Sequence, residues 1–229
     1  MTSTARPSPF IRDAVADALH EQLVRLDRAA ERHDSNALRS LASLRRGGGR
    51  PFGDRDASPE LMRLVGRHID LESPFRMSDE ISRTLDDALV VAALVAQGRP
   101  YVRRAKRGGG SLGRDLRALT TVRRPENVED LLGLLLGASR DELPRHLRRT
   151  VALLGAHRLG LDVAQLVRDL GAWDRDDHEV QRRWAFHFWV PAGTGDPRAS
   201  DAGDPSGGLA DHDPMTTTDP TTETDQEPA

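Results

Sequence analysis

Cysteine is absent from the 229-residue sequence, and lysine occurs only once, at Lys106. Without cysteine the chain can form neither disulfides nor thiolate metal sites, which fits a reducing compartment. The sequence contains no run of about 18 apolar residues, so no membrane-spanning helix is predicted. Residues 1–10 also lack the basic-then-apolar layout of a secretory signal. We therefore expect a cytoplasmic protein.

The charge of the chain is unevenly distributed. Residues 191–229 contain nine acids and one basic residue, Arg198, so this tail carries −8 and residues 1–190 carry +5. The tail is rich in proline, glycine, threonine and aspartate and has almost no large apolar side chains. It cannot bury enough apolar surface to offset the entropy lost on ordering, and we predict that it is disordered.

Helix start and stop signals divide the remaining residues into about nine helices. Apolar residues recur at three- and four-residue spacing after each start signal, and no stretch alternates as a β-strand would. The predicted starts are Pro9, Ser35, Ser58, Ser78, Ser111, Pro125, Ser139, Asp162, and Asp174 or Asp176. Gly47 and Gly98 are the predicted stops of the second and fourth helices. The sequence therefore predicts an all-α fold of two packed helical bundles and no sheet.

The predicted boundary between the bundles is the stretch 99–110, because a long helix ends there and the charge becomes strongly positive. This boundary gives an N-terminal helical bundle over 1–98 and a basic, glycine-rich linker over 99–110. A C-terminal helical bundle follows over 111–190, and the disordered acidic tail covers 191–229. The sequence has no fixed-period repeat, which argues against a helical solenoid.

No catalytic or metal-binding pattern is recognisable. The stretch 108–115 resembles a phosphate loop, but Arg114 and Asp115 stand where that motif needs lysine and then serine or threonine, and no strand precedes it. The histidine spacings do not match a zinc signature. The acids over 174–179 are explained by the dipole of a helix start. We expect no enzymatic activity, no metal and no cofactor.

Basic residues cluster in three places, of which the largest, 99–124, carries +8 and contains one acid, Asp115. Like charges at this density repel one another unless a polyanion neutralises them. From this cluster we predict nucleic-acid binding by Arg103, Arg104, Lys106, Arg107, Arg114, Arg117, Arg123 and Arg124. From the two smaller clusters we predict it for Arg45, Arg46 and Arg50, and for Arg148 and Arg149 beside Arg145. The alternative is that these side chains form solvated helix faces and ion pairs with nearby acids.

Aromatic residues are sparse near the basic clusters. Tyr101 is the one aromatic residue within 99–124, so contact with the nucleic-acid backbone is predicted rather than base stacking. A second aromatic group has the spacing of a buried helix face, which indicates core or a subunit interface. Its members are Trp173, Trp184, Phe186, Phe188 and Trp189.

Three segments, in this order, resemble the CasB family, the small subunit of the type I-E CRISPR Cascade surveillance complex. The first is 41–47, followed by Pro51 and Gly53. The second is 110–114, followed by Leu116 and Leu119. The third is 143–149, and it continues through Leu161, Asp162, Leu166, Asp169, Leu170 and Trp173 to 180–185 and Phe188.

The resemblance implies an all-helical, non-catalytic subunit that acts in antiviral defence. It implies that a pair of such subunits helps to hold the guide RNA–target hybrid and the displaced DNA strand. The implied partners are the large and backbone Cascade subunits, a second copy of this chain, guide RNA and target DNA. The implied contacts are Arg45, Arg46, Lys106, Arg107, Arg114, Arg148 and Arg149, with Arg175 and Arg182 at the last helix. Glu129 and Asp130 stand where the family often has a basic pair, and Arg123 and Arg124 can substitute for it.

Two functions of other classes stay open. A helical DNA-binding regulator needs a helix-turn-helix with a recognition helix, and the candidate pair over 131–150 is rich in leucine and weakly polar. A protein–protein scaffold would use its arginines for acidic partners, and its binding would survive nuclease treatment.

Overall fold

The computed structural model of the chain describes residues 9–47, 58–68, 79–103 and 110–190. Within these ranges the all-α prediction is confirmed. The helices are α1 (Pro9–Glu31), α2 (Ser35–Gly47), α3 (Ser58–Val65), α4 (Asp79–Gly98), α5 (Leu112–Leu119), α6 (Pro125–Leu136), α7 (Leu143–Ala156), α8 (Val163–Gly171) and α9 (Glu179–Trp189). A 3₁₀ turn spans Gly66–His68, and two short strands are β1 (Tyr101–Val102) and β2 (Gly160–Leu161). None of the helices in the described ranges is long and apolar enough to cross a membrane.

Two of the predicted N-caps are confirmed by their hydrogen bonds. The side chain of Ser111 accepts from the backbone N–H of Arg114 at 3.3 Å, and the side chain of Asp162 accepts from that of Gln165 at 2.9 Å. These bonds satisfy donors that the first turns of α5 and α8 leave without an intrahelical partner.

Two other predicted starts are corrected by the structure. Ser35 is the first residue of α2 but not its cap, because the side chain of Asp34 accepts the first-turn backbone hydrogen bond at 2.8 Å. The last helix begins at Glu179 and not at 174–176, where the chain still forms turns. The N-cap position is His178, whose side chain makes no capping hydrogen bond, and the carboxylate of Asp177 accepts from the backbone N–H of Glu179 at 3.1 Å.

The start of α7 shows half of the predicted capping box. The backbone N–H and the hydroxyl of Ser139 both donate to the carboxylate of Glu142, at 3.3 Å and 2.9 Å. The helix itself begins one residue later, at Leu143. The carboxylate half of the motif therefore stabilises the turn that precedes the helix rather than the helix end.

Helix α4 lies at the centre of the described fold. Helices α1, α2, α3, α7 and α8 all pack against it. Its sequence accounts for this position, because the stretch 88–96 is entirely apolar and every residue in it except Val90 is buried. Leu85 and Leu89 have no exposed surface, and burying one leucine fully stabilises a fold by about 1.5–3 kcal/mol.

Two glycines allow the C-terminal ends of α4 and α7 to approach closely. A Cβ atom at Gly155 would lie 1.7 Å from the carbonyl oxygen of Gly98, and one at Gly98 would lie 2.8 Å from the carbonyl oxygen of Val151. Helix α4 does stop at Gly98, as predicted, but the left-handed backbone conformation is that of the next residue, Arg99, with φ of 48°. Gly98 is therefore required for space and not for its backbone angle.

The prediction that no sheet forms is wrong, because the described residues contain one small sheet of two strands. Strands β1 and β2 pair in parallel, with Tyr101 opposite Gly160 and Val102 opposite Leu161. The backbone N–H groups of Tyr101 and Arg103 donate to the carbonyls of Leu159 and Leu161, both at 3.1 Å. Segments of two residues are too short to show an alternating pattern, so the sequence carried no signal for them.

Helices on both sides of the predicted bundle boundary share one core. Helix α4 packs on α7 and α8, α1 packs on α8, and the buried residues form a continuous cluster from Val15 to Phe188. The division at 99–110 into two bundles stays a prediction. The acidic tail over 191–229, with its predicted disorder, lies outside the described residues.

Candidate nucleic-acid interface

Two of the predicted arginine clusters meet on one groove, because α2 and α7 both pack on α4. Arg45, near the end of α2, and Arg148, on α7, line this groove. The other lining residues are Val90, Ala93, Leu94 and Gln97 of α4, and Pro144 of α7. Arg46 and Arg149, the next residues in the sequence, are also exposed but are not part of this lining. We call this surface the arginine groove; it joins residues that lie far apart in the sequence.

The arginine groove is narrow. Its volume of about 20 Å³ is room for roughly one water molecule. A nucleobase cannot enter such a space, whereas phosphate groups can lie along its mouth and accept from the guanidinium groups. The geometry therefore fits the contact with the nucleic-acid backbone that the sequence predicts.

Arg45 is held in place by the end of α4. Its Nε donates to the carbonyl oxygen of Ala96 at 2.6 Å. The last turn of α4 contains no basic residue of its own, so Arg45 supplies a donor to one of the carbonyls that the helix end leaves open. Because this bond uses Nε, the terminal Nη groups can still bind a phosphate.

Two arginines of the largest cluster have partners within the fold. Arg103 forms an ion pair with the carboxylate of Asp115, which is buried. Arg117 Nη1 donates to the carbonyl oxygens of Phe188 and Trp189, at 3.2 Å and 3.3 Å, and so caps the end of α9. These contacts support a structural role for both side chains, and their binding to nucleic acid stays a prediction.

Three further arginines of this cluster lie at the two ends of α5, one in its first turn and two in the connection to α6. Arg114 is half-buried in the first turn of α5, whereas Arg123 and Arg124 are exposed just before α6. Arg123 Nε lies 3.2 Å from His157 Nε2 at the end of α7. Arg123 and Arg124 thus present positive charge near the end of α7, and their role as contacts stays a prediction.

The candidates near the last helix are Arg175, which precedes α9, and Arg182, which lies on it. Arg175 pairs with Glu179 at 3.2 Å, and both side chains are half-exposed. Arg182 is exposed on α9, which packs on α5 and α6. These arginines are not among the residues that line the arginine groove. Of the remaining candidates, Arg50, Arg104, Lys106 and Arg107 lie outside the described residues.

The residues on either side of the basic stretch 104–109 each contact a buried acid, Asp115 on one side and Asp162 on the other. On the N-terminal side, Arg103 pairs with Asp115, and its backbone donates to Leu161. On the C-terminal side, Gly110 fits against Asp162, because a Cβ there would lie 2.1 Å from the Asp162 carboxylate. Ser111 then caps α5. The residues before and after 104–109 are therefore held by tertiary contacts.

Burial raises the pKa of Asp115 to about 6, although the guanidinium of Arg103 opposes this shift. The sequence showed Asp115 as the single acid in a strongly basic stretch. That isolation was the signal of a structural ion pair, which the sequence analysis did not recognise.

A second buried carboxylate is Asp169 on α8, for which the sequence predicted no structural role. It accepts hydrogen bonds from Arg183 (2.5 Å), Gln165 (2.7 Å) and the indole N–H of Trp184 (2.5 Å). Burial raises its pKa, while the Arg183 guanidinium opposes the shift. The available signal was an aspartate between the buried residues Val167 and Leu170 of α8. This network joins α8 to α9.

The terminal aromatic group divides between core and surface. Trp173, Trp184 and Phe188 are buried, which confirms the core prediction for these three. Phe186 and Trp189 are 48% and 58% exposed. Among the described residues, no group of three or more histidine, cysteine or acidic side chains could hold a metal ion.

Comparison with known proteins gives matches along most of the described fold. Residues 40–189 match the family model described as CRISPR-associated protein Cse2. A Cse2 protein of Thermus thermophilus is 37% identical over 86 residues, which are 37% of this chain and 49% of the relative. The alignment thus spans about half the length of that curated relative.

Solved structures show the same fold. The crystal structure of CasB from Thermus thermophilus superposes with a TM-score of 0.51 at 26% identity, covering 74% of this chain and 97% of that one. A chain of a structure described as a CRISPR RNA-guided surveillance complex superposes with a TM-score of 0.57 at 24% identity. This match covers 78% of the present chain and 93% of the other. Because the family model matches one continuous stretch from α2 to the end of α9, the chain belongs to the CRISPR-associated Cse2 family.

Proposed function

We propose that this chain is a non-catalytic small subunit of a type I-E Cascade complex, in which it binds the guide RNA–target hybrid and the displaced DNA strand. The observation that carries the proposal is the arginine groove, where Arg45 and Arg148 come together from distant helices. Membership of the Cse2 family supports it. The similarity of its fold to a chain of a CRISPR RNA-guided surveillance complex also supports it.

The chemistry of the groove suits strand holding. Arginine stays charged at any relevant pH, and its planar fork binds phosphate oxygens bidentately. Exchange of a DNA duplex for an RNA–DNA hybrid is close to energetic balance, so modest contacts to strand backbones can tip it. A subunit that adds a few phosphate contacts can therefore stabilise the open state without reading sequence or performing a reaction.

The proposed partners follow from this role. They are the large and backbone subunits of Cascade, a second copy of this chain, guide RNA and target DNA. The contacts proposed beyond the groove are the other residues predicted above to bind nucleic acid, including Arg175 and Arg182.

Charge reversal in the groove tests the proposal. The complex is assembled with the Arg45→Glu/Arg148→Glu variant, which reverses both arginines of the groove lining, and its affinity for target DNA is measured by a filter or gel-shift titration. We expect affinity to fall by about 10- to 100-fold, since each lost phosphate contact weakens electrostatic binding and each new carboxylate repels the strand.

The matched control is Arg28→Glu/Arg32→Glu, which changes the net charge by the same amount. Arg28 is exposed on α1, and Arg32 is exposed just after it. We expect the control complex to bind target DNA as tightly as the unmodified one. Equal affinity of the groove variant and the unmodified complex, or an equal loss in the control, would contradict a specific role for the groove.

A further inference from the structure

A second groove lies between α6 and α7 and has a volume of about 740 Å³. Residues 142 and 146 of the α7 region line it, whereas 144 and 148 line the arginine groove. Positions two residues apart on a helix point about 200° from each other. The two grooves therefore lie on opposite flanks of α7, and we call the second one the α6–α7 groove.

The charge of the α6–α7 groove is opposite to that of the arginine groove. Its lining includes the carboxylates of Glu129, Asp130 and Glu142, against one histidine, His146. Hydrogen bonds from the hydroxyl and backbone N–H of Ser139 lower the pKa of Glu142, which keeps it ionised. Three carboxylates repel a phosphate backbone, so this flank is unsuited to nucleic acid.

The floor of the α6–α7 groove is apolar and open. Leu134 is 49% exposed, and Ala138 lies beside it in the lining. Gly133 and Gly137, one helical turn apart, also line the groove, and a Cβ at Gly133 would meet nothing within 4 Å. The absence of side chains at these positions lets the backbone of another protein segment approach α6 closely. A single exposed leucine is ordinary, but here it lies in a groove of ligand-binding size that three carboxylates line.

We propose that the α6–α7 groove binds a basic segment of a partner protein in the assembly. An arginine or lysine of that segment donates to Glu129, Asp130 and Glu142, and an adjacent apolar side chain packs on Leu134. The charge complementarity selects a protein over a nucleic acid as the occupant. The inference rests on the proposed function only in placing the chain in an assembly with other proteins.

Site-specific cross-linking tests the inference on the full chain. A photoreactive amino acid replaces Gly133, the tagged protein is purified with its partners after irradiation in its native cell, and the cross-linked peptide is sequenced by mass spectrometry. We expect one partner-protein peptide that carries arginine or lysine next to the cross-link. As the control, the same photoreactive amino acid replaces Leu38, which is 43% exposed on α2. This variant should not give that peptide.

Charge reversal at Glu129 and Asp130 distinguishes a specific site from random proximity. We expect Glu129→Lys/Asp130→Lys to lower the yield of that peptide by about tenfold, because like charges then face each other. Cross-links to nucleic acid, to a second copy of this chain or to a peptide without basic residues would overturn the inference. So would an absent cross-link, or a yield that charge reversal leaves unchanged.

The two proposals fail in different ways. If guide RNA is missing from the purified material, the proposed function is wrong, yet a basic partner peptide at position 133 would still support the α6–α7 groove. If guide RNA is recovered without such a peptide, the proposed function stands and the groove inference fails.

Discussion

At the scale of single residues, burial decides what an arginine does in this protein. Arg103 and Arg183 each pair with a buried carboxylate, and Arg140 pairs with the buried Asp87. Removal of the arginine from such a pair leaves a buried carboxylate unpaired and typically costs about 3–5 kcal/mol. Exposed arginines such as Arg148 and Arg149 contribute little to folding and are therefore available to a ligand.

The glycine contact between α4 and α7 yields a prediction about stability. Gly155→Ala places a methyl group 1.7 Å from the Gly98 carbonyl oxygen, so the helix ends must separate. We expect the free energy of unfolding to fall by about 1–3 kcal/mol, measured by urea denaturation. The melting temperature should fall by about 2–4 °C for each kcal/mol in a domain of this size.

Gly133→Ala is the control for this substitution. It also adds a methyl group to a helical glycine, but the added Cβ meets nothing within 4 Å. Because alanine favours the helix by up to about 1 kcal/mol over glycine, this variant should be slightly more stable than the unmodified protein. Equal stability changes in the two variants would show that the close approach at Gly98 is not what matters.

At the scale of elements, the ion pair between Arg103 and Asp115 joins β1 to α5 beside the basic stretch 104–109. Strand β2, which pairs with β1, is followed directly by Asp162, and Asp162 caps α8. Three elements thus converge on two buried carboxylates. The positions of residues 103 and 110 depend on this junction.

The raised pKa of Asp115 yields a prediction about pH. The folded value of about 6 lies above the usual 3.8, so the folded state binds this proton more tightly than the unfolded state. The contribution of Asp115 to stability is therefore fully present below about pH 4 and is lost as pH rises through about 6. We expect Asp115→Asn, which resembles the protonated form, to gain stability relative to the unmodified protein over this range.

Across this pH range, the free energy of unfolding of the variant should rise relative to that of the unmodified protein by on the order of 3 kcal/mol. Denaturation at a series of pH values measures this change. The exposed Asp176 provides the control, and Asp176→Asn should show no comparable trend. If Asp115→Asn instead loses stability relative to the unmodified protein as pH rises, then the attraction of Arg103 for the ionised carboxylate is larger than the cost of burying that charge.

The same junction shows why the sequence predicted some elements and missed others. Ser111 and Asp162 were predictable as caps because a cap acts on residues within its own first turn. The pairing of β1 with β2 was not, because each strand has two residues and its partner is distant in the chain. Asp115 and Asp169 are buried only through contacts between elements, and local patterns do not report such contacts.

At the scale of the whole molecule, one helix separates two surfaces of opposite charge. The sequence located the clusters at 45–46 and 148–149, but only the packing of α2 and α7 on α4 brings Arg45 and Arg148 to one flank. The acids at 129 and 130, where the family often has a basic pair, lie on the other flank of α7. A net charge of +5 over residues 1–190 therefore conceals a divided surface, which suits a subunit that contacts nucleic acid on one side and protein on another.

This separation predicts how the assembled complex responds to salt. The logarithm of target affinity should fall linearly with the logarithm of salt concentration, with a slope that reports the number of neutralised phosphates. We expect Arg45→Ala/Arg148→Ala to reduce the magnitude of this slope by about 1–2, since each phosphate contact contributes roughly 0.7–0.9. Glu129→Gln/Asp130→Asn should leave the slope unchanged, because these acids face away from the strand. A slope that changes in the acidic variant and not in the arginine variant would reverse the assignment of the two flanks.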